Sequence, residues 1–117
     1  MKLTGLVLMT LSLLPAGTMA ADLSGNWTID GDVQGNAVGL TCLIKQAEDA
    51  KIAGTCQVNG MEATEIEGAA KDAGFKFAFT VMGYTLTYSG TVEGDGMNGD
   101  IEVAGATGKF TGKRTSR

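Results

Sequence analysis

The chain has 117 residues, enough for one compact domain and too short for two. Hydrophobic residues make up 44% and charged residues 19%, with 18 glycines and a net charge of −4, which excludes an intrinsically disordered chain and a basic nucleic-acid footprint. There is no histidine, so imidazole-based triads, imidazole zinc ligands and histidine acid–base chemistry are excluded together.

Residues 1–20 read as an export signal. Lys2 supplies a positive start, residues 6–14 form an apolar run broken only by Thr10 and Ser12, and Pro15 and Gly17 end it. Thr18-Met19-Ala20 then presents small residues for a cleavage site before Ala21. The run is too short for a bilayer span, which needs about twenty residues. No cysteine stands at the cleavage site to take a lipid, and no second apolar run follows. The expectation is a cleaved signal peptide over 1–20 and a soluble domain over 21–117, delivered to the periplasm or the extracellular space. Pro15 is the sole proline, so the turns of the domain fall to Gly, Asn and Asp.

From there the hydrophobic period is two. Residues 26–30 form a short opening strand around Trp27 and Ile29. Val38, Leu40, Cys42 and Ile44 share one face of a second strand, residues 46–51 are turn-like, and Ile52, Gly54, Cys56 and Val58 line a third. Asn59-Gly60 predicts a type I′ hairpin turn. Residues 61–70 are the weakest strand, with Ile66 the only large apolar residue besides Met61. After a turn at 72–74, Phe75, Phe77, Phe79 and Val81 alternate with Lys76, Ala78 and Thr80. Gly83 breaks that strand; Tyr84, Leu86, Tyr88 and Val92 then alternate with a Thr-rich outer face. Asp95-Gly96 is a second type I′ candidate, Ile101 and Val103 mark the seventh strand, and residues 109–115 form the last.

Eight short strands joined by short turns leave no room for the crossovers that parallel pairing needs. A consecutive antiparallel meander follows. Left open, it would expose edges and the Phe/Tyr face; closed, it hides both. The predicted fold class is therefore all-β, a single eight-stranded antiparallel up-and-down barrel. Such an interior is either filled by side chains or holds one small ligand. Gly54, Gly90 and Gly112 share the inward parity and read as bulges or tight bends. A string from Gly54-Thr55 to Gly60-Met61 parallels Gly90-Thr91 to Gly96-Met97, which reads either as a duplication or as convergence of glycine-rich hairpins.

Cys42 and Cys56 lie on the two arms of one predicted hairpin and face the same side, the setting of a structural disulfide worth roughly 3 kcal/mol. The carboxylates Asp30 and Asp32, Glu62, Glu65 and Glu67, and Glu93, Asp95 and Asp100 lie mostly in or beside turns. The 93–100 segment misses the EF-hand pattern, so no metal, cofactor or catalytic residue is assigned. Phe77, Tyr84 and Tyr88 are the candidate ligand-binding residues: an aromatic cluster with two hydroxyls can grip a small apolar molecule. Plain core packing is the alternative.

Gly25-Asn26-Trp27 opening the first strand, with Lys113-Arg114 closing the last, resembles the calycin-type small barrels, the group of lipocalins and avidins. The resemblance implies that Trp27 sits near a closed end of the barrel with Arg114 packed across its indole, a structural pairing of roughly 0.5–2 kcal/mol. The further tryptophans of avidins are absent. Asp22-Leu23-Ser24-Gly25-Asn26-Trp27, followed fifteen residues later by Cys42, is also similar to small periplasmic inhibitors of bacterial zinc proteases. That second resemblance implies an N-terminal trunk, residues 21–24 here, inserted into a protease cleft. The functional expectation is an exported non-enzymatic barrel that binds a small apolar molecule, or alternatively a protein. Neither nucleic acid nor, after signal cleavage, a membrane is an expected partner.

Overall fold

The computed structural model describes residues 22–117, so the export-signal reading of residues 1–20, and Ala21, lie outside the described residues. Eight strands follow in chain order: β1 (Gly25–Val33), β2 (Asn36–Gln46), β3 (Lys51–Val58), β4 (Ala63–Lys71), β5 (Gly74–Val81), β6 (Tyr84–Glu93), β7 (Gly96–Val103) and β8 (Ala106–Ser116). Each pairs antiparallel with the next, and β1 pairs with β8, closing an up-and-down barrel. β1 runs beyond the 26–30 that hydrophobic alternation marks, because Gly31 and Val33 are held from both sides, by Val38 and Asn36 of β2 and by Phe110 and Gly108 of β8. Pairing here overrides the poor strand propensity of Gly and Asp.

The type I′ turns fall elsewhere than expected. Positive φ at both central residues occurs at Gln34-Gly35 (53° and 86°), Met82-Gly83 (50° and 82°) and Ala104-Gly105 (49° and 82°). At Asn59-Gly60 only Gly60 has positive φ. Asn59 instead stays with β2, its backbone N–H donating to the Gly39 carbonyl. The turn expected at Asp95-Gly96 lies one residue earlier: Glu93 pairs with Gly96, and Gly94 takes the positive φ. That places the main chain of Asp95 where its carbonyl accepts from the Arg114 N–H. The two similar strings also part company here. β3 and β6 run in opposite directions along the barrel and their turns occupy non-equivalent positions.

The interior is filled by side chains. Trp27, Ile29, Leu40, Ile44, Ile66, Phe77, Tyr88 and Ile101 are buried, together with the Cys42–Cys56 disulfide. These two cysteines are directly opposed, with Cα atoms 4.1 Å apart, the close approach of a non-hydrogen-bonded antiparallel pair. Rings meet inside the barrel at centroid separations of 5.1 Å (Tyr88–Phe110), 5.3 Å (Phe77–Tyr88) and 5.9 Å (Phe79–Tyr88). Rings and glycines face each other on neighbouring strands: Phe77 opposite Gly68, Phe75 opposite Gly90, Phe110 opposite both Gly31 and Gly99. A β-carbon at Gly90 would collide with the Asn98 carbonyl, and one at Gly68 with the Lys76 carbonyl. The bulge reading of Gly54, Gly90 and Gly112 is thus corrected. The ladders run through all three without interruption, and the register shift of β1 against β8 lies at Asn26/Trp27. These glycines are where neighbouring atoms press too close for a side chain.

One ladder is incomplete. β4 pairs with β5 only from Glu67↔Ala78 to Lys71↔Gly74. Residues 63–66 pair with β3 and residues 79–81 with β6, but not with each other, so the wall is parted along that seam.

Two stability measurements follow. Gly90→Ala should cost about 1–3 kcal/mol or more, the range for overpacking a close-packed interior. Replacing both cysteines by alanine should cost about 3 kcal/mol, read as a lower urea midpoint for the variant.

Candidate functional site

The barrel has two chemically different ends, and the candidate residues divide between them. At one end lie residues 22–24, the 47–50 and 72–73 turns, the 94–95 turn and the last residues of β8. Here Trp27 is fully buried and its indole N–H donates to the Leu23 carbonyl at 2.8 Å. The Arg114 guanidinium lies over the indole, 4.7 Å from its centroid. Its side chain is 3% exposed. It donates to the Asp95 carboxylate (2.9 Å) and to the carbonyls of Asp22 (3.0 Å), Ser24 (2.7 Å) and Gly94 (2.8 Å). A planar fork with five donors suits this array, and a lysine would satisfy less of it. The Trp27–Arg114 pair is a closed, structural end.

The trunk expected over residues 21–24 takes a different course in the described residues. Leu23 is fully buried, and its N–H is held by the Gln46 side chain at 2.9 Å. The carbonyls of Asp22 and Ser24 are engaged by Arg114. The segment caps the barrel rather than projecting from it.

The opposite end carries the 34–35, 59–62, 82–83 and 104–105 turns, in which Glu62 is the single charged residue. Val33, Val38, Val58, Val81 and Val103, from five strands, pack against the core there and make an apolar rim. Met82 is 76% and Tyr84 58% exposed beside it. Of the three candidate ligand-binding residues, Phe77 and Tyr88 stack together in the interior. Tyr84 does not join them. It has the inward parity, but as the first residue of β6, paired with Val81 at the hairpin end, it stands beyond the lumen at its lip.

Tyr88 is the unusual group. It is fully buried, and among the described residues its hydroxyl is the one buried side-chain polar atom without a hydrogen-bond partner. Burial pushes its pKa far above the ordinary phenol value, so the hydroxyl stays protonated at any physiological pH. A buried hydroxyl with no partner costs about 1–3 kcal/mol.

The parted wall between β4 and β5 opens toward this same end. A groove over it is lined by Thr64, Glu65, Glu67, Ala78, Phe79, Thr80 and Thr85, so its floor reaches Phe79, which stacks on Tyr88. Of the carboxylates singled out from the sequence, Asp95 is bound by Arg114 and Arg117, and Asp100 by Lys109. Among the described residues Glu62, Glu65 and Glu67 form no ion pair. Hydrophobic alternation did not reveal Leu23, the Asp95 contact or the parted seam; the sparse apolar content of residues 61–70 was the one sign of the last.

No protein-family model matches this chain, and no curated protein matches it.

The closed end makes the fold acid-sensitive. The Arg114 side chain, donating a hydrogen bond, holds the Asp95 carboxyl below the usual carboxylate range. The Ser24 N–H does the same for Asp22. A carboxyl depressed in the folded state adds stability that is present above the unfolded value of about 3.9 and lost as pH falls through the folded value. Urea midpoints should therefore drop as pH falls below about 4, and Asp95→Asn should be less stable at neutral pH with a shallower acid decline. Arg114→Met should cost about 2–4 kcal/mol at neutral pH, since three carbonyls lose their donor, and Arg114→Lys should restore only part of it.

Proposed function

We propose that this protein is an exported, non-enzymatic binding protein of calycin-like kind that takes up a small apolar molecule bearing one hydrogen-bonding group. The observation that carries this reading is the Tyr88 hydroxyl, unpartnered at the centre of an apolar interior. A guest that supplies one donor or acceptor there removes a cost of about 1–3 kcal/mol. The valine-rimmed end, whose turns carry Glu62 as their single charge, supports entry from that side, with Tyr84 and Met82 at the lip. The filled interior limits the guest to a slender or flat molecule, for which the Phe77 and Phe79 rings stacked on Tyr88 have to yield. The Trp27–Arg114 end fits the calycin resemblance, and the disulfide is compatible with an oxidising compartment outside the cytoplasm. The lack of any histidine favours binding over catalysis.

A protein-binding module is the second reading, favoured by the exposed Met82 and Tyr84 beside the parted β4–β5 seam.

Tyr88→Phe tests the first reading because its two effects have opposite signs. The empty variant should be more stable than the natural protein by about 1 kcal/mol, since an unpaired polar group is removed. Its affinity for N-phenyl-1-naphthylamine, followed by fluorescence, should fall about tenfold, the equivalent of about 1.4 kcal/mol. Native mass spectrometry of the protein taken gently from its export compartment should show a retained small passenger. Unchanged probe affinity in the variant together with a bare natural protein would overturn the reading.

A further inference from the structure

We propose that the parted seam between β4 and β5 is a strand-addition site for an extended, basic segment of a partner protein. The proposal rests on the protein-binding reading and names the partner's chemistry. In an antiparallel ladder, alternate residues turn their N–H and C=O toward each neighbour. On β4 the ladder to β3 continues through residues 63–66, whereas the ladder to β5 stops at Glu67↔Ala78. On β5, residues 79–81 keep their pairing with β6 alone. Each strand therefore carries a short row of main-chain groups facing the gap. Such a row is what an extended peptide pairs with.

The surroundings select the peptide. Glu65 and Glu67 are exposed, stand two residues apart on the outer face of β4, and form no ion pair among the described residues. Side chains two apart on an added strand lie on one face, so lysine or arginine at alternate positions would meet both carboxylates. At the opening of the seam Met82 and Tyr84 are exposed and Met61 is half-buried, with the exposed Glu62 directly before β4. The segment that fits is extended, basic at alternate positions on its outer face, and apolar where it passes the barrel rim. The lip that stands open to a small molecule in the first reading would here seat the partner's apolar residue.

The test uses a blocked heptapeptide of alternating lysine and valine, added to the isotopically labelled natural protein and followed by amide chemical shifts. Shifts should concentrate at residues 63–66 and 79–81. A peptide of the same composition with its lysines contiguous, and one methylated at alternate backbone nitrogens, should each bind at least tenfold more weakly. The Glu65→Lys/Glu67→Lys double variant changes only exposed positions; it should lose the lysine peptide at least tenfold and prefer a glutamate–valine counterpart. Equal binding of the methylated peptide, with shifts confined to Met82 and Tyr84, would overturn strand addition while leaving a protein-binding surface at the lip. Absence of shifts at millimolar peptide, or shifts only at the charged end, would overturn both. A response to N-phenyl-1-naphthylamine alone would leave the small-molecule reading standing without this one.

Discussion

One guanidinium ties together the end of the barrel where the first and last strands meet. The first and last strands must meet although the residues they pair are up to 90 apart in sequence, Asn26 with Ser116, and loop closure over roughly ninety residues costs about 4 kcal/mol beyond a constant. Arg114 is placed to offset that cost. It ties the start of the chain, through the carbonyls of Asp22 and Ser24, to its own strand and to the 94–95 turn. Hydrogen bonds from a charged donor contribute about 1.5–3 kcal/mol each, so the two that reach Asp22 and Ser24 match the closure cost in order of magnitude. Trp27 beneath the guanidinium keeps water out, and its own N–H is used to hold Leu23. A solvent-exposed Asp95 is enough to neutralise the cation, because the other three partners are main-chain dipoles.

With the wall closed, the lumen has to be filled, and an eight-stranded barrel is just wide enough for that. Four phenylalanines and Tyr88 would overfill it if every inward position carried a side chain. Glycines opposite the rings resolve the conflict: Gly68 under Phe77, Gly90 beside Phe75, Gly31 and Gly99 flanking Phe110. The cost of this economy falls on Tyr88. Packed between rings, its hydroxyl finds no protein partner, whereas phenylalanine at that position would carry no such penalty.

Much of the architecture was legible because alternation with period two carries both strand and face. The disulfide follows from two inward cysteines placed symmetrically about one turn, whereas the Trp27–Arg114 contact is what the resemblance to calycin-type barrels implies. Legibility failed where long-range pairing outweighed local chemistry. Asn59-Gly60 and Asp95-Gly96 are strong local turn signals, yet Asn59 is drawn onto Gly39 and Asp95 onto Arg114. Tyr84 has the parity of an interior residue and misses the interior because parity does not say where a strand leaves the barrel. Inward parity marks the glycines as special without giving the reason, since crowding by a neighbouring strand leaves no trace in the strand that bears the glycine.

The seam shows how fold and site are linked. β4 contributes only Ile66 and Ala70 to the core, so little apolar burial draws its upper half toward β5. Phe79 still packs inward with β6 behind it, and the two strands therefore part above Glu67 without opening the rest of the wall. At the charged end the same pair is held by the tight Lys71↔Gly74 closure, and β4 is tied on its other side to the turn before β3 by the Ala70 N–H on the Ala50 carbonyl. A strand poor in large apolar residues is a weakness in a closed barrel only if the parted edge has no use. Here it lies at the end opposite the Arg114 clamp, where the proposed segment would complete the ladder without disturbing the contacts that close the barrel.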